Sequence, residues 1–186
     1  MRPMGRRALA IALAGLPAAC ASSNPRLYTL DPPPGPVRRG GPRAIELRTI
    51  GLARYLERNQ IVLSSEDFRI ELLHDDWWGE PLDAMLGRVL TRALTQRLPG
   101  STVFSDSGAI SAEPGATVQV NLQRMDRDRE GAMRLVAQFA VVRRGSDART
   151  FATTVPVRGP ATPDLVAAMS AAVGLLADQI AAALAG

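Results

Sequence analysis

The chain has 186 residues, 46% of them hydrophobic and only 4% aromatic, with one Cys and one His. That length fits one domain with a core of Leu, Ile, Val and Ala, and it excludes a large multidomain enzyme, an intrachain disulfide and a four-ligand structural zinc site. The 22 basic residues, all Arg, outweigh 18 acids to give a formal charge of +4, but Arg2, Arg6 and Arg7 fall in a removable leader, so the remainder is near neutral and offers no basic field for nucleic acid.

The leader is ordered as export signals are. Met1–Arg7 is positive, Ala8–Leu16 is apolar, and Pro17-Ala18-Ala19 precedes Cys20. The apolar stretch is too short to span a bilayer, which takes about 20 apolar residues. Residues 1–19 therefore read as a signal peptide, in preference of lipoprotein type over a plain cleaved one. Leu16-Pro17-Ala18-Ala19-Cys20 resembles a lipobox. That resemblance implies acylation of Cys20 by three chains, an anchorage that is effectively permanent. It also implies sorting to the periplasmic face of the outer membrane, because Ala21 is not the Asp associated with inner-membrane retention. Arg6-Arg7 has poor flanks for a twin-arginine signal, which favours general secretion. Residues 20–25 form an acylated tether; at about 3.3 Å per extended residue it reaches on the order of 20 Å.

The folded unit is expected over residues 26–186. Arg26–Leu30 reads as a strand, and Asp31–Pro42, rich in Pro and Gly, as an extended loop. Arg43–Ile50 alternates apolar and polar residues as a strand does. Leu52–Arg58 reads as a turn or a single helical turn. Gln60–Leu63 and Phe68–Leu73 form a strand pair around Ser64-Ser65-Glu66-Asp67. Asp75-Asp76 reads as a solvated turn in preference to a weak divalent-cation site. A helix follows from about Glu80 to Leu98, with Pro81 at its first position and Gly100 beyond its end. Its apolar stripe is Leu82, Met85, Leu86, Val89, Leu90, Ala93, Leu94 and Leu98, with Arg88, Arg92 and Gln96 on the wet face. Strands are expected at Thr102–Ser105, Thr117–Asp126, Ala132–Arg143 and Arg149–Val157, separated by turns at Asp126–Gly131 and Gly145-Ser146-Asp147. Thr162-Pro163-Asp164 opens a second helix with Thr162 as N-cap, running to about Ala183. Leu165–Ala185 is apolar enough to rival a membrane span, but Asp178 and Gln179 and its many Ala favour a core helix with Leu165, Met169, Leu176 and Ile180 on the buried side. Several strands and two main amphipathic helices give a layered α/β domain.

Three stretches together resemble one family: Leu27-Tyr28-Thr29-Leu30; Ile50 to Val62, through Gly51-Leu52-Ala53-Arg54-Tyr55-Leu56-Glu57-Arg58; and Trp78-Gly79-Glu80-Pro81-Leu82, leading into the helix that ends at Gln96-Arg97-Leu98-Pro99. In order and spacing they are similar to the ABC-type transport auxiliary lipoproteins of the PqiC type. The resemblance implies a three-layer α/β domain with a mixed sheet. It implies an accessory role in lipid or organic-solute traffic across the envelope. Its implied partners are an ABC permease and ATPase and a periplasmic protein of the mammalian-cell-entry (MCE) class, and it allows a homo-oligomer.

Chemistry is scarce. The only His, His74, sits beside Asp75 and Asp76, but adjacency in sequence does not make a triad, and neither a G-x-S-x-G motif nor a phosphate-binding loop with Lys occurs. The sequence therefore points away from an enzyme and from any catalytic residue, cofactor or metal. Arg54, Tyr55, Arg58, Trp77 and Trp78 are the candidate partner-binding residues, being of the types enriched in interface hot spots. Tyr55 equally suits a core plug, and of the adjacent Trp77 and Trp78 one faces outward if the segment is extended. The alternative to a transport accessory is a structural or assembly lipoprotein of the envelope, which fold alone does not separate from it.

Overall fold

The computed structural model describes residues 24–109, 112–143 and 145–186; the leader and Cys20 lie outside the described residues. Among the described residues, nine strands form one mixed sheet accompanied by two helices. In chain order these are β1 (Arg26–Tyr28), β2 (Ala44–Leu47), β3 (Gly51–Leu52), a 3-10 turn (Arg54–Leu56), β4 (Gln60–Ser64), β5 (Glu71–Trp78), α1 (Leu82–Arg97), β6 (Thr102–Ser105), β7 (Ala116–Arg127), β8 (Met133–Val142), β9 (Ser146–Val155) and α2 (Thr162–Ala185).

β7 is the spine. β8 runs antiparallel along one side of it, and β9 extends the sheet beyond β8. Along the other side β2, β3 and β4 follow one another, each parallel to β7. β6 lies outside β2, and β5 lies antiparallel outside β4. β1 closes that edge as a short parallel strand beside β5. Alternation along β7 sets the two faces: Val118, Val120 and Leu122 are buried, whereas Gln119, Asn121 and Gln123 are exposed. A register shift between Leu122 and Arg124 breaks the alternation, and Met125 and Asp126 are then buried in succession.

Helix α1 buries the whole expected stripe from Leu82 to Leu94, followed by Leu98. Helix α2 buries Leu165, Met169, Leu176 and Ile180, as its periodicity requires. It is long and apolar enough to cross a membrane by length and composition, yet most of it is covered by α1 and by β7, β8 and β9. Its apolar character is that of a core helix.

The segment Asp31–Pro42 forms a strap over the helix pair. The Asp31 N–H donates to Ser170 Oγ at 3.0 Å, and the Gln96 amide brackets Gly35, accepting from its N–H at 3.0 Å and donating to its carbonyl at 3.1 Å. Beneath it lies Arg97, 2% exposed. Arg97 Nε donates to Asp178 Oδ1 at 2.5 Å, and its other nitrogens donate to the carbonyls of Gly174 at 3.1 Å and Ala93 at 3.2 Å. Gly35 is Gly because a Cβ there would come within 2.2 Å of that guanidinium. Sheet, helix pair and strap give the layered, mixed-sheet α/β arrangement expected from the sequence.

The structure corrects several local expectations: β5 runs over Glu71–Trp78, so Phe68–Ile70 precede the strand instead of opening it, and Ser146 and Asp147 begin β9, paired with Val142 and Val141, instead of forming a turn. Asp75-Asp76 is not a solvated turn but part of β5, with Asp76 3% exposed. The strand expected to end at Asp126 continues to Arg127, with Asp126 buried, so the hairpin turn begins only at Asp128, where Gly131 takes φ 81° and the Asp128 carboxylate accepts from the Ala132 N–H at 2.8 Å. Pro81 is the residue before α1, not its first. Thr162 is the first residue of α2 rather than its cap, because its hydroxyl donates to Asp76 Oδ2 at 2.5 Å; Ala161 precedes the helix and its N–H is taken by Asp164.

Candidate functional site

The 3-10 turn Arg54–Leu56 is held from below. The Ala53 N–H donates to the Leu122 carbonyl at 2.9 Å, and Leu56 is buried beneath the turn. Tyr55 is half-buried, and its hydroxyl donates to Asp126 Oδ2 at 2.8 Å. The same oxygen accepts from Ser65 Oγ at 2.8 Å, and Asp126 Oδ1 accepts from Arg124 Nε at 2.9 Å. Arg124 reaches on to Glu66 at 2.5 Å. Burial first, and the Asp126 carboxylate second, push the Tyr55 hydroxyl well above the ordinary phenol range. The hydrogen bond from Arg124 holds Glu66 below the usual carboxylate range. Tyr55 therefore plugs the turn onto β7, while Arg54 and Arg58 stand exposed on either side of it.

The two tryptophans end β5 and face opposite ways. Trp78 is 6% exposed, and its backbone N–H donates to the Asn59 carbonyl at 2.7 Å. Trp77 is half-buried and lies in register with the exposed Leu27 of β1, its indole N–H donating to the His74 carbonyl at 3.1 Å. Just before them in β5, Asp76 joins three elements, accepting from Arg26 of β1 at 2.6 Å and from Thr162 of α2. The Asp76 carboxylate, by hydrogen bond and then by charge, raises the Arg26 pKa above its ordinary value.

These groups come together at one end of the sheet. The pairing of Gln60 with Trp77 sets the 3-10 turn beside the end of β5. Between them and the start of α1 is a cleft of about 350 Å³ lined by Gly51, Leu52, Glu57, Arg58, Asn59 and Asp83. Arg58 sits on its rim, whereas Tyr55 and Trp78 are committed to the fold. A broader groove of about 770 Å³ lies on the polar face of the sheet, lined by Arg48, Asp106, Gln119, Asn121, Gln138 and Thr150 among others. Its residues read in sequence only as the solvent side of strands.

The His74 side chain is 97% exposed, with its Nε2 4.0 Å from Asp75 Oδ1. Among the described residues no three His, Cys, Asp or Glu side chains are grouped to hold a metal ion. The polar cluster around Asp126 ties the segment just after β4, through Ser65 and Glu66, to β7 and the 3-10 turn.

Known proteins place the chain. Among curated proteins none matches it closely enough to count as a relative. Among solved structures, an uncharacterized protein superposes with a TM-score of 0.72 at 18% identity, covering 87% of this chain and 99% of that one. Protein XCC0632 from Xanthomonas campestris, of the DUF330 family, gives a TM-score of 0.72 at 16% identity, covering 86% of this chain and 94% of its own. At such identities these likenesses establish the fold. The family model described as ABC-type transport auxiliary lipoprotein component matches residues 28–181, from β1 to the last turns of α2, and the chain belongs to that family.

Proposed function

We propose that the chain is a periplasmic lipoprotein anchored through Cys20 in the outer membrane, a non-catalytic accessory of an ABC/MCE-type system that moves lipid or organic solute through the envelope. In this reading residues 26–186 are the folded unit, which holds the MCE-type conduit protein, and the permease and ATPase are its more distant partners. The observation that carries the reading is membership of the transport-auxiliary family over residues 28–181. The geometry supports a binding role: Arg54 and Arg58 are exposed beside a cleft, and Trp77 with Leu27 makes an apolar patch at the sheet edge. Arg and aromatic side chains on a rigid scaffold are what interface hot spots are made of.

Co-purification with the MCE-type partner tests the reading. Trp77→Ala and Arg54→Ala should each weaken the complex by about 1–3 kcal/mol while leaving the melting temperature nearly unchanged. Labelled palmitate should enter the native protein and not the Cys20→Ser variant. Co-purification indifferent to both surface substitutions would refute the binding role. So would loss of function in a folded His74→Ala variant that still binds its partner.

A further inference from the structure

The hairpin joining β4 to β5 ends in a conformation that needs a reason. The Arg69 N–H donates to the Glu66 carbonyl at 3.0 Å, closing a turn whose central residues, Asp67 and Phe68, both have positive φ, at 53° and 61°. Turns of this kind favour Asn or Asp followed by Gly. A bulky aromatic at positive φ is an outlier, and strain of that sort gathers where a surface has a task. Here the strained residue is also fully exposed: Phe68 has 110% of its reference surface open, and Ile70 and Leu72 follow at 48% and 36%. The other exposed large hydrophobics, Leu27, Val37 and Leu175, stand singly in the sequence. The acids at the tip are occupied, Asp67 by Arg129 at 2.6 Å and Glu66 by Arg124 at 2.5 Å and Arg129 at 3.2 Å. Arg69 is exposed between the apolar side chains.

The position of the N-terminus says what this tip meets. β1 is parallel to β5, with Arg26 opposite Asp76 and Leu27 opposite Trp77. Traced backwards, β1 points along β5 towards Glu71 and the hairpin tip. Cys20 is as far before Arg26 as Ile70 is before Asp76. At about 3.3 Å per residue the tether reaches roughly 20 Å, which brings Cys20 within range of the tip.

We propose that the hairpin tip Phe68–Leu72 is a membrane-docking element that inserts its apolar side chains into the leaflet holding the Cys20 acyl chains. This rests on the anchor reading above. The acyl chains hold the protein at the bilayer; the tip is a second, weaker contact whose effective concentration the short tether makes high. Two attachment points fix the orientation of the domain, with the Trp77 end of β5 directed away from the lipid. Phe, Ile and Leu supply insertion, and Arg69 suits the phosphate level of the headgroups.

The test uses the full acylated chain. Its one Cys carries the lipid, so Phe68→Cys adds a single free thiol for an environment-sensitive fluorophore, and Leu175→Cys on α2 provides the control. Both proteins are reconstituted into vesicles of phosphatidylethanolamine and phosphatidylglycerol, some containing a lipid-borne quencher. The probe at position 68 should shift to the blue and be quenched several-fold more than the probe at 175. A protein that floats with the vesicles while both probes stay equally wet overturns the docking element and leaves the anchor standing. A protein that does not float overturns the anchor reading and the docking element with it. A probe at 68 that is wet on vesicles and shielded only when the MCE-type partner is added assigns the tip to protein and overturns the proposal.

Discussion

Replacing Arg97 by Ala probes the joint between α1, α2 and the strap. The guanidinium is 2% exposed and serves Asp178 Oδ1 at 2.5 Å together with the carbonyls of Gly174 and Ala93. Removing it leaves the Asp178 carboxylate, only 21% exposed, without its counter-charge, and opens a void beneath Pro33 and Gly35. Breaking a buried pair from one side costs about 3–5 kcal/mol, because the remaining charge stays desolvated. The double variant Arg97→Met with Asp178→Leu removes both charges while keeping much of the volume, and it should recover most of that loss. Urea unfolding followed by tryptophan fluorescence reads the effect, since Trp78 is buried and Trp77 half-buried. A loss below about 1 kcal/mol for Arg97→Ala, or a double variant as unstable as the single one, would refute the assignment of the joint to this ion pair.

Leu176→Ala should cost about 2–5 kcal/mol in the same assay, because the side chain is 1% exposed within the core face of α2. Phe68→Gly should stabilise the fold by about 1 kcal/mol and raise the melting temperature by a few degrees, since Gly takes positive φ without strain. The Tyr55 pKa is raised in the fold, so above an unfolded value of about 10 the unfolded chain loses its phenol proton first. The unfolded state then binds fewer protons, and stability should fall as pH rises beyond that value. Tyr55→Phe should lower stability near neutrality and flatten the alkaline fall measured by unfolding across pH.

What the sequence makes legible is what periodicity carries. The apolar stripe of α1 and the alternation of Val118, Val120 and Leu122 are local patterns with one physical cause, and the structure keeps both. The departures have tertiary causes that no local pattern holds. Asp76 reads as a turn residue because acids avoid strands, yet it is buried where Arg26 and Thr162 converge on it from distant segments. Thr162 loses its capping role to that same carboxylate. Arg97 stands on an otherwise apolar face, and only the arrival of Asp178 from α2 gives it a place there. The exposed Phe68 was hidden for the opposite reason, since an apolar residue beside Ile70 and Leu72 looks like the start of a buried strand. Of the candidate surface, Arg54 and Arg58 are exposed and Trp77 half-buried, while Tyr55 turns inward to Asp126 and Trp78 is buried in the core.

The pairing of β1 with β5 also sets how the protein carries load. A pull on the N-terminus acts along the axis of β1, and the Arg26–Asp76 pair and the ladder from Arg26 to Tyr28 lie across that axis. Such a load shears the bonds together instead of peeling them one at a time. Behind them, Asp31 is tied to Ser170 and Gly35 to Gln96, so any slack passed by β1 is taken up on both helices. Tension applied at the N-terminus is thus delivered to the buried joint at Arg97, not to the edge of the sheet. A short strand and a proline-rich strap, each weak alone, act in series as a mooring.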